Sequence, residues 1–99
     1  MRKAFLKSLS RSLVMYNRIR TTEARAKEIR PMVERLVTRA KKDTVVNRRE
    51  IAKMFDPAAL KKIFTEISPR YLERSGGYTR IVRADKRKDG SQMVIMEFV

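Results

Sequence analysis

The chain has 99 residues, enough for one small domain, and its 25 Lys and Arg against 11 Asp and Glu give a net charge of +14. Such an excess favours a polyanionic partner, with nucleic acid as the first candidate and an anionic membrane surface as the second. Because the chain contains no Cys and no His, it has no disulfide, no thiolate or imidazole metal ligand, no nucleophilic Cys and no histidine general base.

The bases are unevenly distributed along the chain. Residues 1–20 contain six bases and no acid, whereas residues 70–99 contain seven bases and four acids. Residues 43–69 are nearly balanced, with five bases and four acids. The two ends of the chain are therefore expected to face a polyanion, and the middle is expected to serve as scaffold.

Residues 3–16 are predicted to form a first helix. Its apolar side chains recur at helical spacing, and we assign this stripe to the core rather than to a groove for a partner: Leu6, Leu9, Leu13 and Tyr16. Bases spaced four residues apart share a second face of the same helix: Lys3, Lys7 and Arg11.

The segment 18–22 is short, alternating and partly β-branched, and it predicts a strand. Thr22 is placed to cap a second helix that runs to about Lys42, with Glu23 in its first turn. Pro31 is expected to kink this helix or to restart it. The predicted buried stripe of the helix is Ala26, Ile29, Val33, Leu36, Val37 and Ala40.

Two further helices are predicted in the middle of the chain. Asp43 or Thr44 is expected to cap one of them over about 45–55, with a predicted core of Val46, Met54 and Phe55. Asp56-Pro57 predicts the start of the next, since Asp caps helices and Pro fits the first helical position. Its apolar stripe is Leu60, Ile63, Phe64 and Ile67, and Ser68-Pro69 ends it or opens a short further turn.

The last part of the chain predicts a β-hairpin after a break at Gly76-Gly77. Its arms are residues 78–84 and 92–99, and Asp89-Gly90 supplies the turn. One face of the second arm presents Val94, Met96 and Phe98, and the other presents Ile95 and Val99. Pairing the hairpin with the earlier strand gives a small three-stranded sheet covered by helices, which is an α+β fold in a single domain over residues 1–99.

The segment Arg-Ser-Gly-Gly-Tyr-Thr-Arg at residues 74–80 is the most informative candidate site. Its two glycines permit positive φ and allow a phosphate to approach backbone N–H groups. Tyr78 offers a stacking face, Thr79 offers a hydroxyl, and Arg74 and Arg80 offer bidentate donors. The alternative is a plain loop before a strand, with Tyr78 in the core, and the residue types alone favour neither interpretation.

The carboxylates do not form a catalytic or metal-binding pattern. Glu23, Glu28 and Glu34 are interpreted as salt-bridge and helix-end partners, while Asp85 and Asp89 are interpreted as turn formers in a basic loop. The chain also has no glycine-rich loop of the nucleotide-binding type. We therefore expect no enzymatic activity, no cofactor, no metal and no small-molecule substrate.

Two blocks of the sequence resemble a known family. The first covers residues 19–31 and continues through 36–41, and the second comprises 67–71 and 74–81. Both are similar to the signature of the bacterial-type large-subunit ribosomal proteins of family seventeen, the L-seventeen family. Further segments that fit are residues 12–14 (Ser-Leu-Val) and 47–49 (Asn-Arg-Arg), so the resemblance covers essentially the whole chain.

The resemblance implies a fold of one helix, one strand, three helices and two strands, with a small mixed sheet. It implies a structural constituent of the large ribosomal subunit that binds large-subunit rRNA and supports subunit assembly and translation. The expected partners are this rRNA and neighbouring large-subunit proteins, with one copy per ribosome and no membrane partner. The expected location is the ribosome of a bacterial cytoplasm, with an organellar ribosome as the alternative.

This chain departs from the family pattern at its ends. Members usually have a longer basic arm before the first helix, and many have a C-terminal tail. Here the predicted helix starts almost at Met1 and the chain stops at Val99, so Arg2 and Lys3 are the only expected remnants of the arm. A streamlined member, an organellar member and a trimmed chain all fit this pattern.

Most phosphate contacts are expected from residues 1–25 and 70–88, and Arg20, Arg74 and Arg80 are the strongest single assignments. The full set of residues expected to contact rRNA is Arg2, Lys3, Lys7, Arg11, Arg18, Arg20, Thr21, Thr22, Lys27, Arg48, Arg49, Arg70, Arg74, Gly76, Gly77, Tyr78, Thr79, Arg80, Arg83, Lys86, Arg87 and Lys88.

Two other interpretations follow from composition. Charge alone, with the cationic first helix, favours a free nucleic-acid or membrane-surface module such as a DNA architectural protein. No apolar run approaches the roughly 20 residues that span a bilayer. Residues 1–22 are basic, acid-free and Ser-containing, as organelle transit peptides are, but a cleaved leader is not expected to run directly into the first signature block.

Overall fold

The computed structural model describes the backbone of residues 2–99 and the side chains of residues 4–99. In chain order, the elements are α1 (Arg2–Tyr16), β1 (Arg18–Thr22), α2 (Glu23–Ala40), α3 (Val45–Ala52), α4 (Pro57–Lys62), β2 (Thr79–Lys86) and β3 (Gln92–Phe98). Helix α4 continues into a π-helical turn (Ile63–Ile67) and a last helical turn (Ser68–Arg70). This order confirms the predicted α+β arrangement of helix, strand, three helices and two strands.

Side-chain caps explain where three of the helices begin. Thr22, Thr44 and Asp56 each accept a hydrogen bond from the backbone N–H three residues further on, at 3.2 to 3.4 Å. Such a cap satisfies a donor that has no partner inside the helix. The predicted caps at Thr22 and Asp56 are confirmed, and Thr44 rather than Asp43 caps α3.

Helix α2 is the longest helix and runs without a break through Pro31. The predicted restart at this residue is therefore wrong. Pro31 is exposed, so water can serve the carbonyl that loses its N–H partner. All members of the predicted apolar stripe of α2 are buried: Ala26, Ile29, Val33, Leu36, Val37 and Ala40.

The three strands form one sheet in the order β1-β3-β2, and both neighbours of β3 are antiparallel to it. The mixed sheet implied by the family resemblance is therefore corrected to an antiparallel one. Strands β1 and β2 run in the same direction, but β3 lies between them, so no parallel pair forms. The predicted inward face of β3 is confirmed, because Val94, Met96 and Phe98 are buried.

Two predicted core residues are exposed instead. Tyr16, the last member of the α1 stripe, is 71% exposed, because α1 ends there and Asn17 turns the chain with φ 67°. Val46, in the first turn of α3, is 67% exposed, and the helix ends at Ala52, before the predicted end near residue 55. Ile51 supplies the buried side of α3.

Leu13 and Leu72 provide a matched test of this core. Leu13 is fully buried on α1, whereas Leu72 is 59% exposed. We expect Leu13→Ala to lower the free energy of unfolding by about 2–5 kcal/mol, because it removes buried methyl groups and leaves a cavity. Leu72→Ala is expected to change it by less than about 0.5 kcal/mol. Urea denaturation of both variants measures the difference, and equal losses would contradict the assigned core.

Candidate nucleic-acid interface

The helices cover one face of the sheet, and the opposite face carries a row of charges. Arg18 and Arg80 lie on either side of Glu97 in the strand register. Arg80 Nε donates to Glu97 Oε1 at 2.7 Å, and Arg18 Nε lies 4.0 Å from Glu97 Oε2. Both arginines are more than half exposed. Because two guanidinium groups share one carboxylate, this row retains positive charge.

The next row on the same open face joins Arg20, Ile95 and Val82. Arg20 Nη2 donates to Asp85 Oδ1 at 2.6 Å, and this hydrogen bond lowers the pKa of the Asp85 carboxyl. Val82 is 48% exposed beside this pair. The open face therefore combines arginines with exposed apolar surface, a composition that suits contact with sugars and bases as well as phosphates.

The tip of the hairpin, residues 86–91, carries Lys86, Arg87 and Lys88, and all three are exposed. The turn itself is closed by backbone bonds, and Asp89 Oδ1 accepts a hydrogen bond from the N–H of Ser91 at 3.0 Å. That backbone bond lowers the pKa of Asp89. Within residues 4–99, none of the three basic side chains forms a hydrogen bond or ion pair. The tip is thus a cluster of positive charge that the chain leaves open to solvent.

The loop before β2, residues 74–77, is fixed by its own arginine and by one positive φ. Gly77 has φ +64°, a conformation that favours glycine, whereas Gly76 does not lie in the left-handed region. Arg74 Nε donates to the carbonyl oxygen of Gly76 at 3.1 Å. Of the two glycines that permit positive φ, only Gly77 therefore uses it.

Tyr78 follows this loop and is fully buried, with its ring centroid 5.2 Å from that of Tyr71. The alternative interpretation of the segment, with Tyr78 in the core, is the one that the structure shows. Thr79 is also buried. In this conformation neither side chain is accessible to a base, so both are removed from the predicted set of direct rRNA contacts.

Glu34 on α2 explains why the chain folds inward at this point. Its carboxylate accepts hydrogen bonds from the backbone N–H groups of Tyr78 and Thr79, at 3.1 and 3.0 Å, and from Thr79 Oγ1 at 2.8 Å. Three donors therefore converge on one half-buried carboxylate. The sequence interpretation of Glu34 as a salt-bridge or helix-end partner missed this role, because the two partners are more than forty residues away in sequence.

Lys41, at the end of α2, ties down the other side of the loop. Its Nζ donates to the Tyr78 hydroxyl at 2.9 Å and to the carbonyl oxygen of Arg74, and Thr38 lies 3.1 Å from the same hydroxyl. Burial of the Tyr78 hydroxyl opposes its ionisation, but the bonds from Lys41 and Thr38 outweigh it and lower its pKa below the ordinary tyrosine value. Lys41 is therefore a structural cation rather than a free one.

Several bases of the predicted set are paired with groups of the chain itself. Arg11 and Arg48 form bidentate pairs with Asp56 and Asp43, and these hydrogen bonds lower the pKa of both carboxyls. Lys27 and Arg83 both contact Glu23, and the hydrogen bond from Lys27 lowers the pKa of that carboxyl. Arg70 donates a hydrogen bond to Asn17 Oδ1. These bases link elements of the fold, although their side chains remain at the surface.

The remaining predicted residues are distributed over several faces. Lys7 and Arg49 are exposed and unpaired among the described side chains, Thr21 is buried, and the Thr22 hydroxyl is engaged as the α2 cap. The side chains of Arg2 and Lys3 lie outside the described residues. The predicted set therefore does not form one continuous site.

Sequence reasoning missed one basic group on the outer face of α2. Arg35, Arg39 and Lys42 are exposed, and their side chains have no hydrogen bond or ion pair among residues 4–99. Arg35 and Arg39 are four residues apart on one face of α2, away from the buried stripe, and Lys42 follows just after the helix ends at Ala40. That spacing was readable in the sequence, where residues 21–42 carry seven bases and three acids.

Residues 4–99 contain no cluster of three or more acidic side chains that could hold a metal ion. None of the helices in the described part of the chain combines the length and apolar character needed to cross a membrane. The exposed bases on the sheet face and hairpin tip give this basic α+β protein a surface of the kind that RNA-binding modules present.

Comparison with known proteins agrees with this class. Residues 5–99 match the family model described as Ribosomal protein L17. Large ribosomal subunit protein bL17 of Hydrogenobaculum sp. (strain Y04AAS1) is 46% identical over 101 residues, an alignment that covers 99% of this chain and 86% of the relative. The same-named proteins of Fusobacterium nucleatum subsp. nucleatum and Staphylococcus haemolyticus are 48% and 46% identical, over 99% of this chain and 86% and 89% of the relatives.

The chain belongs to the ribosomal protein L17 family. It is therefore a structural constituent of the large ribosomal subunit, in a family that typically binds rRNA, and it is not an enzyme. The predicted family resemblance is confirmed. The relatives are bacterial proteins, in line with a ribosomal location.

Glu34→Gln tests the link between α2 and β2. The substitution replaces one carboxylate oxygen by an amide nitrogen, which cannot accept the hydrogen bonds that this oxygen receives. We therefore expect the free energy of unfolding to fall by about 1–3 kcal/mol. Glu73→Gln is the matched control, because Glu73 is exposed and its side chain has no hydrogen bond among the described residues. Chemical denaturation reports both changes, and a Glu34→Gln variant as stable as the control would argue against the role assigned to Glu34.

Lys41→Met tests the electrostatic part of the same network. Without the ammonium group, burial dominates, so we expect the pKa of Tyr78 to rise above its value in the unaltered chain. Ultraviolet titration of the phenolate follows the change, and Tyr78→Phe identifies the signal. Lys42→Met changes an exposed neighbour of the same type and should leave the curve unchanged. Superimposable curves for the two methionine variants would refute the proposed contact.

Proposed function

We propose that this chain binds large-subunit rRNA mainly through the hairpin tip, the open face of the sheet and the loop at residues 74–77, and thereby supports subunit assembly and translation. The observation that carries the proposal is the hairpin tip, where the side chains of Lys86, Arg87 and Lys88 are exposed and form no hydrogen bond or ion pair among the described residues. Phosphates are the ligands that such a cluster attracts, because binding them releases condensed counterions.

The open face of the sheet adds a second group of phosphate ligands. Arg18, Arg20 and Arg80 are more than half exposed, and Asp85, the partner of Arg20, is 69% exposed, whereas Glu97 between Arg18 and Arg80 is 18% exposed. The exposed Arg20–Asp85 pair is weak, so a phosphate can replace this carboxylate at little cost. Guanidinium groups also suit phosphates geometrically, because their donors form a planar fork.

The loop at residues 74–77 contributes shape more than charge in this proposal. Gly77 and the network under Tyr78 hold the backbone in one conformation, and Arg74 covers it from outside. Gly76 and Gly77 leave the backbone open to close approach. The ion-paired bases Arg11, Lys27, Arg48 and Arg83, together with Arg70, Lys7 and Arg49, are proposed as secondary contacts around these three areas.

The finer aspects of the assignment are part of the same proposal. We expect one copy per ribosome, contacts with neighbouring large-subunit proteins and a place in the bacterial cytoplasm, with an organellar ribosome as the alternative. The support for these points is the family membership and the bacterial origin of the similar proteins.

Paired lysine substitutions test where the rRNA contacts lie. Lys86→Ala/Lys88→Ala removes two unpaired cations from the hairpin tip. Lys53→Ala/Lys61→Ala removes two exposed cations, of which Lys53 is paired with Glu50, from the nearly balanced middle of the chain. The net charge changes equally in both variants. We expect the first variant to lower the slope of log affinity against log salt by about two units, because each phosphate contact contributes about one unit. The second variant should keep the original slope.

Binding to deproteinised large-subunit rRNA, measured over a salt series, provides the data. Equal slopes for the two variants would show that total charge, not the hairpin tip, determines binding. Equal affinity of the unaltered chain for duplex DNA and for folded rRNA would contradict the proposed function itself. Arg80→Ala adds a single-residue test, since unchanged rRNA affinity and unchanged incorporation into the subunit would remove Arg80 from the interface.

A further inference from the structure

A groove of about 700 Å³ lies between α2, α3 and the loop at residues 74–77. Its floor is largely apolar and includes Met32, Leu36, Met54 and Phe55. Arg35 and Arg39 line it from α2, and Ser75 and Gly76 line it from the loop. This volume falls within the range of small-molecule sites, which is roughly 300–1,000 Å³.

The groove carries positive charge that no acid of the described residues neutralises. Arg35 and Arg39 are exposed and have no hydrogen bond or ion pair among residues 4–99. The two acids that line the groove are both engaged. Glu34 accepts the backbone N–H groups of β2, and Glu50 is paired with Lys53 at 3.0 Å. An anionic group that enters the groove therefore meets two unpaired guanidinium groups.

Gly76 leaves the loop side of the groove open, and the fold does not require a glycine there. Its φ lies outside the left-handed region, and a Cβ added at this position would have no atom within 4 Å. Gly77 differs, because its φ is +64°. The missing side chain at position 76 therefore serves neither backbone conformation nor packing within the chain. What it does provide is free space beside the groove.

We infer that this groove accepts an unpaired nucleotide of the large-subunit rRNA, with the base against the apolar floor and a phosphate on Arg35 and Arg39. The inference rests on the proposed rRNA binding and adds a specific site to it. A nucleotide combines a flat, largely apolar base with an anion, which matches the floor and the rim. Sequence-specific recognition of RNA commonly uses such splayed-out bases from loops and bulges.

Gly76→Phe is the most direct test, because it fills the open side of the groove without imposing a strained backbone. Ala58→Phe is the matched control, since Ala58 is exposed on α4 and does not line the groove. We expect Gly76→Phe to weaken binding to deproteinised large-subunit rRNA by about five- to a hundredfold, the usual effect of losing one stacked or inserted base. Ala58→Phe should bind as the unaltered chain does.

A chemical footprint identifies the nucleotide. Probes that react with unpaired bases should find one base protected by the unaltered chain and by Ala58→Phe, and reactive with Gly76→Phe. The double substitution Arg35→Ala/Arg39→Ala should expose the same base and lower the salt slope by about two units, whereas Lys61→Ala should do neither. Gly76→Phe and Arg35→Ala/Arg39→Ala act on the same nucleotide, so combining them should weaken rRNA binding little more than either does alone.

Two results would overturn the inference. If Gly76→Phe and Arg35→Ala/Arg39→Ala both leave the footprint and the affinity unchanged, the groove holds no nucleotide. If they leave rRNA binding unchanged but reduce incorporation into the subunit, the occupant is a segment of a neighbouring protein. In both cases salt-dependent rRNA binding by the unaltered chain keeps the proposed function intact, so the two failures are distinguishable. If Gly76→Phe does not fold, Arg35→Ala/Arg39→Ala still tests the inference, because both arginines are exposed and their replacement does not disturb the core.

Discussion

The structure depends on how eleven carboxylates are placed among twenty-five bases. Several of them connect parts of the fold. Glu34 holds the start of β2 against α2, Glu97 bridges two strands, and Asp56 both caps α4 and pairs with Arg11 on α1. Each of these carboxylates meets two or more donors or bases, so a small number of acids stabilises a chain whose charges otherwise repel one another.

The use of acids inside the fold determines where positive charge remains outside it. The hairpin tip has one acid, Asp89, beside three bases, and Arg35 and Arg39 on the outer face of α2 form no ion pair among the described side chains. The open face of the sheet has fewer acids than arginines. A polyanion that binds these areas relieves the repulsion that the chain cannot relieve by itself. For members of the ribosomal protein L17 family, to which this chain belongs, that polyanion is typically rRNA. Folding and function are thus linked through the same imbalance of charge.

The sequence predicted those features that depend on local patterns. The stripe of α2, the caps at Thr22 and Asp56, and the inward face of β3 follow from helical spacing, capping chemistry and strand alternation, and the structure confirms them. Features that depend on distant contacts were not predictable in this way. The position of β3 between β1 and β2, the burial of Tyr78 and the role of Glu34 arise from residues far apart in sequence. Tyr16 and Val46 show the same limit, because apolar spacing alone did not reveal that these residues, at the end of α1 and in the first turn of α3, are exposed.

Sedimentation of the protein in its own host tests the central claim most directly. A tagged copy would be expressed and the lysate separated on sucrose gradients at moderate and high salt. A structural constituent of the large subunit should migrate with that subunit and remain there after the high-salt wash, because many phosphate contacts and buried surface hold it in place. A protein that stays at the top of the gradient, or follows the nucleoid or the membranes, would contradict the account and favour a module that binds polyanions by charge alone.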